Sequence, residues 1–453
     1  MQQAIKSMIG LEIHVYIITK EKLFCSCKAS REKGTKPNIY ICPTCTGQPG
    51  AKPMLPNEEA LKQAIRIGLM LNCKINKKMH WQRKHYDWPD LPKGYQNTIS
   101  GARAEPLGIN GEFSGVGIWS MHLEEDPASW DPKSGCIDYN RSGLPLVEII
   151  TAPDFTSSEQ VIDWLKILLH NLSYLKAVDK NAGIKVDVNV NIPGKTQRVE
   201  IKNINSLENI KKAIEYEISR QSKEGSVRET RRFDPLKENT IRMRGKEQEE
   251  DYRFIIDPDL PPVILDEKII SILEKTLPES PEKKLEKMIK KFSISKKDAE
   301  VLTKHLDIAE FFESLIEKGA DPKFTLPWVT VELLRVLNYN NSSLNNAEIK
   351  PEHFIELLTL VKAQKISILQ AKQILNKFYP KSFSPSSTEN KISDIAELKK
   401  IAKQVIAENK KVAEQYKAGE KNALNFLMGE IMKKTNRRAD FSLARKSLEE
   451  MLK

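Results

Sequence analysis

Residues 185–192 read KVDVNVNI, and valine or isoleucine at every second position alternates with Asp187, Asn189 and Asn191. Successive side chains of a β-strand point to opposite faces. This stretch therefore predicts a strand with one apolar, buried face and one polar face.

The next alternating stretch, RVEIKNI at 198–204, places Arg198, Glu200 and Lys202 on one face. It follows after a short turn, so it predicts the hairpin partner of the first strand. Three further short stretches also read as strands: GLEIHV (10–15), GIWSMHLEED (117–126) and GLPLVEIIT (143–151).

Helical patterns interrupt these strands at 57–72, at 157–175 and from Ser206 onwards, where apolar residues recur at a spacing of 3.6. The mixture predicts an α+β fold with a large, mostly antiparallel sheet. After about Pro281 the strand patterns end and Lys/Glu-rich amphipathic helices follow, divided by a Ser/Pro-rich segment at 380–390. We therefore expect three domains: 1–282, 283–380 and 391–453.

The chain has 453 residues and a net charge of +11, which favours a polyanionic partner because each neutralised phosphate releases counterions. Residues 391–453 carry 15 Lys and Arg against 9 Asp and Glu, so a net charge of +6 lies in this tail. No apolar run reaches the roughly 18 residues of a membrane span. The opening residues lack the pattern of a secretory signal, so we expect a cytoplasmic protein.

Four of the six cysteines form two closely spaced pairs, Cys25-x-Cys27 and Cys42-x-x-Cys45. This layout predicts one tetrahedral four-thiolate zinc site with a structural role. The alternative is four unligated thiols, which would oxidise readily when clustered on a surface loop. Cys73 and Cys136 stand alone, and we expect ordinary buried thiols there.

Acidic residues mark a second candidate site. Glu12 and His14 alternate with apolar residues and therefore share a strand face. Glu148 interrupts the apolar run LPLVEII, a strand that we expect to be buried on both faces, where an unpaired carboxylate is costly. The alternative, a solvated polar sheet face, is favoured for the hairpin alone but does not explain Glu148. We predict that Mg²⁺, rather than a basic side chain, balances this charge.

Carboxylates, a histidine and amide oxygens on one sheet face suit Mg²⁺ and phosphates, and Arg198 and Lys202 are placed to neutralise phosphoryl oxygens. HLEED at 122–126 adds three more acids after another strand. Neither G-x-x-x-x-G-K-[ST] nor a strand-to-helix G-x-G-x-x-G occurs. Any use of ATP would therefore depend on acids that bridge metal ions on a sheet.

The stretch at 82–96 interleaves basic and aromatic residues with rigid turns. This pattern suits the stacking of unpaired nucleotides, with cations on the phosphates. A Pro-rich loop that packs on its own aromatics explains the composition equally well.

Taken together and in this order, these stretches resemble the GatB family of the glutamyl-/aspartyl-tRNA amidotransferases. The matching blocks span nearly the whole chain: IGLEIHV (9–15), LFCSC (23–27), CPTCTGQPGAKP (42–53), RKHYDWPDLPKGYQ (83–96), HLEED (122–126), DYNRSGLPLVEIITAPD (138–154), KVDVNVNI (185–192), RVEIKNINS (198–206), ETRRFD (229–234), DYRFIIDPDLPP (251–262) and NFLMGEIMKKTNRRAD (425–440).

The resemblance implies a cradle-type catalytic domain with a zinc-binding loop, a helical domain and a YqeY-like tail that binds tRNA. It also implies ATP, Mg²⁺ and structural Zn²⁺ as cofactors. The implied partners are an amidase subunit (GatA), a small GatC subunit and tRNA(Asn) or tRNA(Gln) mischarged with Asp or Glu. The implied reaction is phosphorylation of the side-chain carboxylate of the aminoacyl-tRNA, followed by amidation with ammonia from the amidase.

By motif match, the resemblance assigns roles to individual residues of this chain. Magnesium ligands are expected at Glu12, His14, Glu124, Glu125, Glu148, Asp187 and Glu200. Catalytic residues are expected at Glu12, His14, Glu125, Glu148, Glu200 and Lys202, and cofactor contacts at Asp187, Arg198 and Lys202. Contacts with tRNA are expected from Arg83, Lys84, Tyr86, Lys93, Tyr95, Lys433, Lys434, Arg437 and Arg438.

Three blocks depart from the family pattern. EEDPASW (124–130) stands where EEDAGK is common, HYDWPDLP (85–92) replaces NYFYPDLP, and YQNTIS (95–100) replaces YQISQ. Asp87 thus occupies an aromatic position. The related GatE proteins are considerably longer, which favours GatB, and the sequence leaves open whether Asp-tRNA, Glu-tRNA or both are substrates. A non-catalytic, zinc-stapled RNA-binding protein is the alternative of another class, and it leaves Glu148 unexplained.

Overall fold

A computed structural model describes residues 6–32, 34–101, 104–178, 183–245, 252–387, 394–420, 422–435 and 439–452. The chain forms two compact units, Met1–Ser280 and Pro281–Lys453. The expected domain boundary at 282 lies within two residues of this division.

The first unit contains sixteen strands within the described residues. They are β1 Met8–Tyr16, β2 Lys74–Ile75, β3 Lys78–Met79, β4 Gln82–His85, β5 Gln96–Thr98, β6 Gly108–Phe113, β7 Val116–Glu125, β8 Ser129–Trp130, β9 Ile137–Asp138, β10 Pro145–Thr151, β11 Ile184–Asn191, β12 Val199–Ile204, β13 Glu229–Asp234, β14 Asn239–Gly245, β15 Arg253–Ile256 and β16 Val263–Ile264. Its helices are α1 Glu58–Met70, α2 Ser158–Leu175, α3 Leu207–Glu224 and α4 Glu267–Lys275.

Twelve of these strands form one sheet, ordered β14-β13-β12-β11-β1-β10-β7-β5-β4-β15, with β6 and β2 joined at β7. Every pairing is antiparallel except that of β12 with β13. The prediction of a large, mostly antiparallel sheet in an α+β fold is therefore confirmed. The predicted β11–β12 hairpin is also present, with Asn189 opposite Glu200.

The sheet has an apolar and a polar face because apolar and polar residues alternate along its central strands. Ile13 of β1 and Val186, Val188 and Val190 of β11 are fully buried in one core that also includes Leu165 of α2. Each such side chain contributes roughly 1.5–3 kcal/mol by leaving water, so a slip of one residue in register would cost several of these contributions. The helices cover this face, and α2 and α3 begin at serine N-caps.

The described residues of the second unit form helices joined by loops, with an isolated β-bridge between Glu348 and Lys381. Its α-helices are α5 Pro281–Phe292, α6 Lys296–Thr303, α7 Leu306–Glu317, α8 Pro322–Pro327, α9 Leu334–Tyr339, α10 Pro351–Lys362, α11 Ile368–Asn376, α12 Ile395–Glu408, α13 Lys410–Lys417, α14 Asn422–Lys434 and α15 Phe441–Leu452, with a π-helical segment at Trp328–Leu333. Separate apolar clusters lie within 288–378 and 398–452. We therefore keep the division into 283–380 and 391–453 as a proposal. None of the helices in the described parts of the chain is long and apolar enough to cross a membrane.

Candidate active site

The polar face of the sheet brings six of the predicted residues together as two acidic groups. In each group one possible ligand atom per residue lies within 4.8 Å of the others. The central group consists of His14, Glu124 and Glu148, and the lateral group of Glu12, Asp187 and Glu200. Strand register explains the placement, since Glu12 is opposite Asp187 and His14 is opposite Glu148.

In the central group, His14 Nε2 lies 3.4 Å from Glu148 Oε1. Burial alone would lower the pKa of His14, but the hydrogen bond and charge of Glu148, aided by Asp187 and Glu124, raise it to about 9. Burial would likewise raise the pKa of Glu148, and the hydrogen bond and charge of His14 lower it instead. This pair therefore holds an imidazolium against a carboxylate.

The structure corrects two expectations about Glu148. Its strand is not buried on both faces, because Glu148 and Ile150 are only partly buried on the polar side. The prediction that no basic side chain balances its charge is also wrong. His14, which lies directly across from Glu148 in the strand register, is the basic partner.

The lateral group gathers three carboxylates in a small space. Burial, followed by the charges of Glu148, Glu200 and Asp187, raises the pKa of Glu12 to about 7. Burial also raises the pKa of Asp187. The Lys202 ammonium stands 3.9 Å from Asp187 and 3.8 Å from Glu200. Because the pKa of Glu12 remains raised beside this cation, the negative charge of the group is only partly compensated.

Carboxylate oxygens held close together with incomplete charge compensation fit a hard divalent cation. Two hydrogen bonds orient the lateral ligands. The backbone N–H of Asn203 donates to Asp187 Oδ1 at 2.7 Å, and Thr230 Oγ1 donates to Glu200 Oε2 at 3.2 Å. The acids thus adopt fixed positions through the protein's own contacts, as metal ligands with supporting hydrogen bonds do.

Glu124 and Glu125 have different partners because neighbouring residues of a strand point to opposite faces. Glu124 accepts hydrogen bonds from Thr98 Oγ1 at 2.7 Å and from Gln96 Nε2 at 3.1 Å, and it belongs to the central group. Glu125 is not brought to either group, contrary to its expected place among the magnesium ligands. Its carboxylate pairs with the Lys93 ammonium and accepts the backbone N–H of Asn97 at 2.9 Å.

A cleft of about 450 Å³ opens beside the central group. His14, Glu124 and Asp187 line it, together with four cationic side chains: Lys84, Arg141, Lys185 and Lys202. Sequence reasoning missed Lys185 and Arg141. Strand alternation could have revealed Lys185, since it lies two residues before Asp187 on the same strand, whereas Arg141 lies in a turn without periodicity.

The two cations predicted for phosphates are separated. Lys202 lines the 450 Å³ cleft, whereas Arg198 lines a smaller one of about 200 Å³ beside Glu12 and Asn189. The expectation that Arg198 and Lys202 neutralise phosphoryl oxygens stays a prediction, with the two cations at different clefts. Arg198 comes just before β12 and Lys202 lies within it, so sharing a strand face does not bring their side chains to the same cleft.

The basic and aromatic stretch at 82–96 packs largely on its own surroundings. Arg83 pairs with Asp257 at 3.0 Å and Asp259 at 2.7 Å, and its guanidinium carbon lies 4.5 Å from the centre of the Tyr95 ring. Tyr86 contacts Tyr252 edge to face, with ring centroids 6.0 Å apart. The interpretation as a loop packed on aromatics accounts for these residues.

Two lysines of this stretch differ from each other. Lys84 lines the 450 Å³ cleft, where it can meet a ligand. The Lys93 side chain is only 10% exposed and also donates to Asn97 Oδ1 at 2.7 Å. Its expected contact with tRNA is therefore not supported, because the ammonium is buried and already paired.

In the tail, Lys433 is largely exposed and lies 3.7 Å from Glu430, and Lys434 pairs with Glu408 at 2.6 Å. Arg437 and Arg438 lie outside the described residues. The structure thus presents Lys433 to solvent, and the proposed tRNA contacts of the four residues stay a prediction.

The four paired cysteines converge as predicted, with their Sγ atoms within 4.8 Å of one another. Cys42 Sγ lies 3.8 Å from Cys45 Sγ. A tetrahedron with Zn–S bonds of about 2.3 Å has edges of about 3.8 Å, so this spacing fits zinc. A hydrogen bond from Cys25 lowers the pKa of Cys45 to about 4, which favours a thiolate there. Cys73 is buried as expected, but Cys136 is exposed, contrary to expectation.

Comparisons with known proteins show which family this chain resembles. The family model for the GatB/GatE catalytic domain matches residues 7–271, and the model for the GatB domain matches residues 310–452. Three similar proteins are each named as the B subunit of an aspartyl/glutamyl-tRNA(Asn/Gln) amidotransferase. The protein from Methanopyrus kandleri is 42% identical to this chain over 98% of both chains. The protein from Methanocaldococcus jannaschii is 41% identical over 96% of both chains. The protein from Methanothermobacter thermautotrophicus is 41% identical over 95% of this chain and 97% of its own length.

Proposed function

The chain belongs to the GatB family of tRNA-dependent amidotransferase subunits, and on that premise we propose that it activates the side-chain carboxylate of a mischarged aminoacyl-tRNA. It uses ATP to phosphorylate the carboxylate of Asp-tRNA(Asn), Glu-tRNA(Gln) or both. Ammonia then displaces the phosphate and leaves Asn-tRNA(Asn) or Gln-tRNA(Gln).

The observation that carries this proposal is the pair of acidic groups beside a cleft lined with cations. A carboxylate is a poor acyl donor, and phosphorylation provides it with a leaving group. Phosphoryl transfer depends mainly on positioning and charge neutralisation. Lys84, Lys185 and Lys202 place three cationic side chains on the wall of this cleft, within reach of phosphate oxygens.

The residues that would hold Mg²⁺ are the carboxylates of the two acidic groups. His14 would join them only as a neutral imidazole, because the imidazolium paired with Glu148 has no lone pair for a metal. The bound ion would neutralise part of the charge on the phosphate oxygens. The chain's own residues hold the carboxylates in fixed orientation: His14 fixes Glu148, Asn189 donates to Glu12 at 2.9 Å, and the backbone of Asn203 fixes Asp187. These contacts keep the acids oriented before any ligand arrives.

We further propose that Cys25, Cys27, Cys42 and Cys45 hold a structural zinc ion, since four thiolates close the coordination sphere. Among the described residues, the loop from 17 to 57 between β1 and α1 contains no helix or extended strand of its own. A metal would therefore fix a segment whose Leu23 and Phe24 are buried in the core of the first unit.

The relatives are named as one subunit of an amidotransferase, which indicates a complex of several subunits. We propose that the partners are an amidase subunit, which releases ammonia from glutamine, and a small third subunit. The basic tail at 391–453 contributes to the binding of tRNA. Because its substrates are aminoacyl-tRNAs, we place the complex in the cytoplasm.

The deciding experiment is an amidation assay of the assembled complex with ammonium chloride, ATP and Mg²⁺, carried out separately on Asp-tRNA(Asn) and Glu-tRNA(Gln). We expect ATP-dependent formation of the amide on at least one of them. A complex that hydrolyses glutamine but amidates neither tRNA contradicts the proposal. Retained tRNA binding without specific Mg²⁺ binding would instead favour the non-catalytic RNA-binding alternative.

A further inference from the structure

Two tryptophans stand together in the 450 Å³ cleft. Trp88 and Trp130 meet edge to face, with ring centroids 5.4 Å apart and an angle of 89° between the planes. Both line the cleft, and Trp88 is 51% exposed. About half of the Trp88 surface is therefore open to a ligand that enters the cleft.

The two segments that carry these rings are joined to each other. Trp130 lies in β8, which pairs with β9, and Trp88 lies in the loop after β4. The backbone N–H of Ala128 donates to the carbonyl of Asp90 at 2.9 Å, which links the hairpin to the loop. Arg141 donates from Nε to the Pro127 carbonyl at 2.9 Å and from Nη2 to the Ala128 carbonyl. The pair is therefore held in place without a ligand.

The surroundings of the pair indicate which ligand it takes. The same cleft is lined by the cations Lys84, Lys185 and Lys202 and by the acids Glu124 and Asp187. An aromatic platform beside cations is the arrangement that proteins use for unpaired nucleotides, because every base has a π-face and the sugar–phosphate chain is anionic. An aliphatic or acidic ligand would leave either the rings or the cations unused.

Trp88 and Trp130 lie in the stretches HYDWPDLP (85–92) and EEDPASW (124–130). Trp130 lies in the β8–β9 hairpin, which follows the acidic residues 124–126. The Trp88 ring, in the loop after β4, contacts the Trp130 ring. Neither residue has a part in the proposed magnesium or zinc sites. The pair thus lines the cleft without taking part in either proposed metal site.

We propose that Trp88 and Trp130 stack the adenine ring of a substrate at the 450 Å³ cleft. The inference rests on the proposed function, in which both large substrates carry an adenosine: ATP itself and the aminoacylated 3′ end of the tRNA. The chemistry of recognition is the same for both sources, a purine on an indole. Which of the two adenines binds is decided by the experiment.

The test uses the assembled complex and direct binding measurements with ATP, with deacylated tRNA and with the same tRNA lacking its 3′-terminal adenosine. The variants are Trp88→Ala, Trp130→Ala and Trp88→Phe, with Tyr339→Ala as the control for the loss of an exposed aromatic elsewhere. We expect Trp88→Ala and Trp130→Ala to weaken binding of one adenosine ligand about tenfold, within the range for one stacked base. Trp88→Phe, which keeps a ring, should lose less than about threefold.

The two sources give different patterns. If the tRNA supplies the adenine, trimming weakens binding to the wild-type complex about tenfold but leaves binding to Trp88→Ala unchanged. If ATP supplies it, the Kd for ATP rises about tenfold in Trp88→Ala, and trimming affects both complexes equally. Either pattern supports the proposal. Unchanged Kd values for ATP and intact tRNA in both alanine variants overturn it.

Failure of the proposed function gives a separate signal. Wild-type complex that amidates neither aminoacyl-tRNA contradicts the proposed activity whatever the tryptophan variants do. Wild-type activity combined with adenine binding that is indifferent to both tryptophans contradicts only the stacking site. Trp130→Ala changes the other segment and Trp88→Phe keeps a ring, so misfolding of one variant does not obscure the result.

Discussion

His14 Nε2 stands 3.4 Å from Glu148 Oε1, and the two residues occupy paired positions on adjacent strands of the sheet. The imidazolium and the carboxylate carry opposite charges. Each charge would be costly in this partly buried place without the other. The pKa of His14 rises to about 9 because Glu148 outweighs the effect of burial. The imidazole and the carboxylate therefore form one unit, and changing either should alter the other.

Glu148→Gln keeps the size of the side chain but removes its charge. We expect the complex to fold and assemble, while amidation of the aminoacyl-tRNA falls at least about a hundredfold, or ~2.7 kcal/mol, the scale of losing one electrostatic stabiliser. Glutamine hydrolysis by the partner should persist. Initial rates with saturating ATP, together with melting temperatures, measure both effects.

The control for this change is Glu159→Gln, which removes an exposed carboxylate on α2. It should leave amidation unchanged. A folded and assembled Glu148→Gln complex that amidates at nearly the normal rate would show that Glu148 lies outside the site. Loss of folding and of both activities together would indicate a purely structural role.

Glu124→Gln and Glu125→Gln form a matched pair of adjacent changes. Glu124 lies in the central group, so its loss should weaken Mg²⁺ or Mn²⁺ binding at least about tenfold. Glu125 pairs with buried Lys93, so its loss should leave metal affinity within about twofold but lower the melting temperature, because a buried cation loses its partner. Calorimetric titration with Mn²⁺ separates the two, and equal loss of affinity in both variants would contradict the assignment.

Local patterns in the sequence were sufficient to predict the framework of the site. Alternation in KVDVNVNI and GLEIHV predicted which side chains share a face, and the serine N-caps of α2 and α3 stand where the helical patterns begin. Those features depend on neighbours along one strand or helix. They are therefore encoded within a few residues.

The contacts that the sequence could not predict join distant segments. The charge of Arg83 is neutralised by Asp257 and Asp259, more than 170 residues away. No local sequence pattern predicts that pairing. Whether Glu124 or Glu125 faces His14 and Glu148 likewise depends on the register in which β7 pairs with β10. Residue spacing fixes only that these two carboxylates point apart.

Zinc binding is tested on the paired cysteines. We expect about one zinc ion per chain in protein purified without chelator, and Cys42→Ser should abolish it and lower the melting temperature. Cys136→Ser removes an exposed cysteine outside the cluster and is the matched control. Metal analysis by mass spectrometry that finds well under one zinc per chain, or an equal effect of both variants, would refute the site.

The basic tail is tested by removing residues 391–453, whose buried apolar residues form their own cluster. We expect glutamine hydrolysis by the complex to persist and tRNA binding to weaken. The affinity should also depend less steeply on salt, because fewer phosphate contacts release fewer counterions. The measurement is the tRNA Kd at several salt concentrations.

A single change refines this experiment. Lys433→Gln removes a cation that is 78% exposed in the tail, and Lys381→Gln removes one that is 69% exposed in the preceding segment. Only the first should weaken tRNA binding, by about twofold to fivefold. Unchanged tRNA affinity after removal of the whole tail would refute a binding role for it.

The backbone of Asn203 is the last feature to test. Asn203 has a φ of +58°, a left-handed conformation, at the point where the register of β11 and β12 shifts. Its N–H donates to Asp187 Oδ1 at 2.7 Å, so this irregularity aims a backbone donor at an acid of the lateral group. Glycine adopts such a φ freely, whereas a β-branched residue there costs about 1–3 kcal/mol.

Asn203→Gly should therefore preserve the hydrogen bond, keep Mn²⁺ affinity within about threefold and retain amidation. Asn203→Val should weaken both by about tenfold or more, because relieving the strain turns the N–H away from Asp187. The comparison separates backbone from side chain, since both variants lack the carboxamide that lines the cleft. Equal losses of Mn²⁺ affinity and amidation in the two variants would show that the carboxamide matters instead. No loss in Asn203→Val would show that Asp187 does not need the hydrogen bond from the Asn203 backbone.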